Sequence, residues 1–165
     1  MKTIDGHGKD HGPADAAAAE TMEFMVRRSQ ISILFNQLPQ GLIATAVNAA
    51  LMAWILSAVT AQSTIAIWLA VIFGACALRF VSLKKFRSED ANAFDASKWR
   101  KIFFAGSTAT ALAWGAAGAL LFPDSSYQHQ AFIGFVLAGM AAGASGSMAA
   151  DDKIYRIYLA LAIAP

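Results

Sequence analysis

The stretch at 131–150, AFIGFVLAGMAAGASGSMAA, decides the fold. It carries no charged residue over a length that, as an α-helix, reaches about 30 Å, one hydrocarbon core. In water, so many glycines would each weaken a helix by roughly 1 kcal/mol relative to alanine. In lipid the backbone must satisfy its own hydrogen bonds, so the helix is held regardless. The small side chains then become useful. Gly139 and Gly143 form a GxxxG pair, Gly146 lies close to the same face, and Gly134 and Ser145 extend the small surface. Such a face lets another helix approach to backbone contact. The stretch therefore reads as a membrane-buried packing helix and the hub of a bundle.

Composition agrees. Of 165 residues, 57% are hydrophobic and only 15% charged, and the mean hydropathy is +0.48. Soluble domains carry about 25% charged residues, so this chain has too few to cover a water-facing surface. A single cysteine, Cys76, excludes an internal disulfide and, lying in an apolar run, reads as an inert buried thiol. The polar start is too long and too acidic for a secretory signal, and no cleavage site follows a short apolar core.

In chain order, residues 1–15 are rich in Gly, Asp and Lys and read as a disordered tail. His7 and His11, beside Asp5 and Asp10, sketch a metal site. The surrounding glycines leave no rigid frame, so a solvated tail is the preferred reading and no metal is expected. Asp15 is placed to cap a short amphipathic helix over 16–30 lying on the membrane surface. Met22, Met25 and Val26 share one side of it, and Arg27 and Arg28 reach lipid head groups. A first span follows at about 31–58, with Pro39 marking a kink or the true start and Asn48 facing the bundle midway. The second span, about 65–83, follows a short uncharged turn and makes an antiparallel hairpin. Near its end, Arg79 is expected to snorkel to the interface rather than serve an intramembrane ligand site. The polar loop at 84–101 holds Lys84, Lys85, Arg87, Lys98, Arg100 and Lys101. Bracketed by spans, these residues obey the positive-inside rule and need no nucleic acid. The third span, about 102–122, carries Trp114 deep within it, a wedge beside the gap left by Gly115. Residues 131–150 form the fourth span, and 154–165 begin a fifth.

Charge sets the topology. Arg27 and Arg28, the loop at 84–101, and Lys153 with Arg156 fall on one side if every span crosses, and the other loops carry no Lys or Arg. The N-terminus is then cytoplasmic. The fifth hydrophobic segment is too short to span at about 1.5 Å per residue, so the expectation is a truncated chain, with a half-span held by a partner as the alternative.

Catalytic chemistry is not evident. There is no GxxxxGK[ST], HExxH, CxxC or GxSxG motif. His129 reads as an ordinary loop histidine rather than a pH sensor, and Asp151 and Asp152 as acids complementing a helix dipole. Thr45, Asn48, Ser107, Thr108, Thr110 and Ser145 are neutral and read as inter-helix hydrogen-bonding residues rather than a transport path.

Several segments carry a resemblance: RRSQISILFNQLPQGLIATAVNAALMAW, the run ending LRFVSLKKF, KWRKIFFAGSTATALAWGAAGALLFPD, and the last piece from Ala131 onward. Over 27–165 the chain resembles the bacterial inner-membrane input regions that stand before GGDEF or EAL cyclic-di-GMP domains or sensor histidine kinases. The features carrying it are the Trp114–Gly115 pair, the Phe122-Pro123-Asp124 exit and the small-residue fourth span. The resemblance implies a six-helix region leading to a cytoplasmic output domain. Any cyclase, phosphodiesterase or kinase activity would lie beyond Pro165.

The expectation is thus an all-α polytopic bundle at 31–165 in a bacterial inner membrane, acting as a sensory and dimerising module. The alternative is an accessory subunit of a larger membrane complex. Gly139, Gly143, Gly146, Trp114, Gly115 and Asn48 are the expected packing or pocket positions. Arg27, Arg28, Lys84, Lys85 and Arg87 are the expected membrane-surface anchors. The expected partners are the lipid bilayer and a second copy or larger complex, with no cofactor, no nucleic acid and an unidentified ligand.

Overall fold

The computed structural model describes residues 13–90, 94–123 and 126–163. These form five helices: α1 (Pro13–Leu56), α2 (Gln62–Arg87), α3 (Ala96–Leu120), α4 (Tyr127–Ser147) and α5 (Asp152–Ile163). The first four are long and apolar enough to cross a membrane, and α5, with 12 residues, is shorter than a span. The protein is an all-helical membrane bundle, as the chain of uncharged segments requires.

Local chemistry sets the helix ends. Asp95 accepts from the Ser97 and Lys98 amides at 2.8 and 3.1 Å and so caps α3. Lys84, Lys85 and Arg87 occupy the last turn of α2, where positive charge complements the helix dipole. The expected polar loop is therefore mostly helix end, and α2 and α3 are joined by residues 88–95 alone.

Two expectations about α1 change. The surface helix at 16–30 and the first span are not separate, because one helix runs through both and contains Pro39. No glycine or proline lies between Asp15 and Leu38 to stop it, and Pro39, which removes the hydrogen bond to the Phe35 carbonyl, does not end the helix. The helix starts at Pro13, a favoured first position, so Asp15 lies inside it rather than at its cap. Residues 18–30 are exposed all round, and Ile31 is the first buried residue. The tail with His7 and His11 lies outside the described residues.

The centre of the bundle is α3, not α4. It touches every other helix, whereas α4 touches only α1, α3 and α5. The reason is side-chain volume. Along α3, Trp99, Phe103, Ser107, Thr110, Trp114 and Ala117 are buried at spacings of three and four, one continuous stripe. At its basic end Phe35, Phe86, Phe94, Trp99 and Phe103 interlock, with Phe35 stacked on Phe86 at 4.1 Å and set edge-on to Trp99 and Phe103 at 5.5 Å. Farther along, Trp114 meets Trp68 edge-on at 5.7 Å, and the Trp68 indole donates to the Ala113 carbonyl at 2.8 Å. The Trp114 indole N–H is buried with no acceptor. Large apolar side chains such as Trp54, Ile67, Leu78 and Phe135 point outward, the surface that hydrocarbon rather than water tolerates.

Replacing Trp114 with alanine is expected to lower the thermal unfolding midpoint in detergent, followed by circular dichroism. Lipid offers no water-to-oil transfer term between helices, so the loss should sit at or below the low end of the ~3–5 kcal/mol typical of soluble cores. Trp54→Ala, on the outer surface, should change the midpoint little.

Candidate functional site

A half-open cavity of about 460 Å³ lies between α1 and α4, with α2, α3 and α5 contributing to its floor. Its size falls within the ordinary range for small-molecule sites, about 300–1,000 Å³. On the inner wall, Leu34, Leu38, Thr45, Phe103, Ala144 and Tyr158 are buried, whereas Gln40, Ala44, Gly139 and Gly143 at the mouth are exposed.

Arg79 reaches this floor from α2. It is only 8% exposed, so its side chain does not snorkel outward as expected. Instead it crosses α3 at Gly106, where a Cβ would stand 3.0 Å from the Arg79 Cγ. The missing side chain at Gly106 is the passage. Beyond it, Nη2 donates to the Ser107 hydroxyl at 3.2 Å, and the guanidinium sits over the Phe103 ring at 5.2 Å. No acidic side chain lines the cavity, and among the described residues Arg79 makes no ion pair. A guanidinium offers several N–H donors in a planar fork, and the protein uses one of them here.

The expected site residues divide. Gly139, Gly143, Gly146 and Asn48 all line the cavity. The three glycines do not seat a neighbouring helix within the chain, because a Cβ on any of them would meet nothing within 4 Å. Asn48 donates to the Ala44 carbonyl of its own helix at 2.9 Å and to the Met140 sulfur on α4 at 3.5 Å. Trp114 and Gly115 are buried in α3 and line no part of the cavity. Of the polar span residues, Ser107 bonds across helices, whereas Thr110 and Ser145 donate to carbonyls of their own helices. Cys76 is half-buried, and His129 pairs with Ser126 at 2.6 Å beside the start of α4.

Sequence reasoning missed Gly106, Ser107 and Tyr158 as site residues. The available signal was a cation in an apolar run. Its partners lie on α3 and α5, and spacing along the chain does not reveal them.

The anchoring residues gather at one end of the bundle. Arg28 lies over Phe94 at 5.2 Å, Lys84 over Phe80 at 5.0 Å, and Arg27 pairs with Glu23. A second cavity of about 690 Å³ at this end brings Arg27, Arg100 and Lys153 together. Within it, Arg100 Nε meets Asp151 Oδ2 at 2.6 Å, while Asp151 Oδ1 accepts from the Ile154 amide at 3.3 Å. Asp151 thus caps α5 and ties it to α3. Among the described residues, no group of three or more His, Cys, Asp or Glu is placed to hold a metal.

Comparison with family models, with curated proteins and with solved structures gave no match.

Burial pushes the Asp151 carboxyl up, but the hydrogen bonds from Arg100 and the α5 amides outweigh it and hold the group below the ordinary aspartate value. With the folded value depressed, the stabilisation is complete above the unfolded carboxylate's range and is lost as pH falls through the folded value. The protection factors of the α5 amides, that is, exchange rates corrected for the intrinsic pH dependence of amide exchange, should therefore fall as the pH drops below about 4, the ordinary aspartate range. Asp151→Asn, which keeps the cap but not the charge, should flatten that acid response. The half-exposed Arg100 limits the stability at stake to about 0.2–1 kcal/mol.

Proposed function

We propose that the chain is the membrane-embedded sensory and dimerising module of a bacterial signal-transduction protein, of the kind that stands before diguanylate cyclase, phosphodiesterase or histidine kinase domains. The observation that carries this reading is the cavity. A buried cation from α2, walls from α1 and α4, and Tyr158 from α5 all face one space. Anything that fills it touches helices from both ends of the chain, so occupancy is coupled to the position of α5. A ligand shifts such an equilibrium only by its differential affinity for the two arrangements. An unpaired buried cation is a large source of that difference.

Topology and assembly follow in the same reading. The basic residues of α1, of 84–101 and of Lys153 share one end, and the positive-inside rule puts that end in the cytoplasm of the inner membrane. With the cavity empty, the open face at Gly139 and Gly143 receives a second copy at backbone distance, and a ligand occupying the cavity mouth competes with that contact.

The test extends α5 to a full span, adds a sixth span that returns to the cytoplasm and joins it to a histidine kinase reporter, with Leu placed at Gly143. The substitution enters open space, so the fold should be unaffected. Disulfide cross-linking between copies in the membrane should fall several-fold and reporter output should change with it. If cross-linking and output both match the unmodified chimera, this reading is removed.

A further inference from the structure

We infer that the α1–α4 cavity binds an anionic amphiphile, a carboxylate or phosphate group on an apolar body, with Arg79 as the headgroup ligand. The inference rests on the sensory reading for its biological use, but its chemistry stands separately. Arg79 is nine-tenths buried and, among the described residues, has one hydrogen bond to protein and faces a space lined by no carboxylate. An uncompensated cation in an apolar bundle is costly, and a planar guanidinium matches a carboxylate or phosphate with two parallel hydrogen bonds. Ser107 and the Phe103 ring hold the fork in place, and Tyr158 brings a second polar group to the floor.

The rest of the cavity selects the body. Leu34, Leu38, Met140 and Ala144 supply apolar walls, and the glycine side of α4 leaves a slot without side chains. That slot opens on the flank of two helices long enough to cross a membrane, where a hydrocarbon tail already has somewhere to lie. A free inorganic anion would satisfy Arg79 but leave the slot empty. An uncharged lipid would fill the slot and leave the guanidinium unpaired.

The full chain in a neutral detergent is titrated with radiolabelled oleate, with oleyl alcohol, phosphatidylglycerol, phosphatidylcholine and inorganic phosphate as competitors. Saturable oleate binding at one site per chain is expected, with oleyl alcohol and phosphatidylcholine failing to compete. Competition by phosphatidylglycerol identifies a phospholipid as the source of the anionic group, and its failure identifies a single-chain acid. Arg79→Gln should weaken binding about tenfold or more, the loss expected for a charge-assisted pair, and Arg79→Lys should fall between. Should Arg79→Gln not fold, Ala44→Phe, which narrows the mouth from an exposed position on α1, should give a comparable loss. Equal binding of oleate and oleyl alcohol, equal competition by inorganic phosphate, or oleate binding indifferent to both substitutions overturns the inference. Oleate binding with no response in the reporter chimera would instead remove the sensory reading and leave the ligand assignment standing.

Discussion

The buried stripe of α3 is the constraint on which the bundle rests. Trp99, Phe103, Ser107, Thr110, Trp114 and Ala117 fall on one face because helical side chains three and four apart point the same way. That face is polar only at Ser107 and Thr110. Thr110 satisfies itself on the Gly106 carbonyl, and Ser107 takes the Arg79 guanidinium. The stripe therefore offers its neighbours bulk to pack on and gives α2 a polar fixture at Ser107, and α3 meets all four of the other helices.

Helices in hydrocarbon gain little from hiding apolar surface from one another, so close fit and specific polar contacts must hold them. This explains why the interlocked aromatics sit where they do. Rings pack with a directional preference worth about 0.5–1.5 kcal/mol per pair beyond area, and the Phe35, Phe86, Trp99 and Phe103 group joins α1, α2 and α3 at the basic end. It also explains the different use of small residues. At Gly106 the missing side chain is filled by Arg79, so the glycine is a passage. At Gly139 and Gly143 nothing fills it, so the glycines are an opening.

Arg79 turns this packing into chemistry. Five residues before Lys84, it lies about one and a half turns from the basic end, within reach of the interface for a side chain of its length. The path over Gly106 and the seat on Phe103 and Ser107 draw it inward instead. The consequence is a positive charge held at the floor of a cavity whose walls, among the described residues, supply none of the opposite sign.

What the sequence determined is what lipid demands of any chain. Helices of spanning length follow from uncharged runs because unsatisfied backbone groups are intolerable in hydrocarbon, and 131–150 declared this without reference to any neighbour. The common end of the basic residues was equally legible, since it depends on the order of charged and apolar segments alone. Local stops were less so: the continuation of α1 through Arg28 and Pro39 required knowing that no competing contact turns the chain there. The site was legible only in pieces. Asn48 and the α4 glycines were visible as unusual residues in apolar runs, but whether a small residue receives a helix, a side chain or nothing is set by what lies opposite. The direction of Arg79 was decided the same way. Its inward course exists because Gly106, Phe103 and Ser107 of α3 stand beside α2, a relation of two helices that neither segment records by itself.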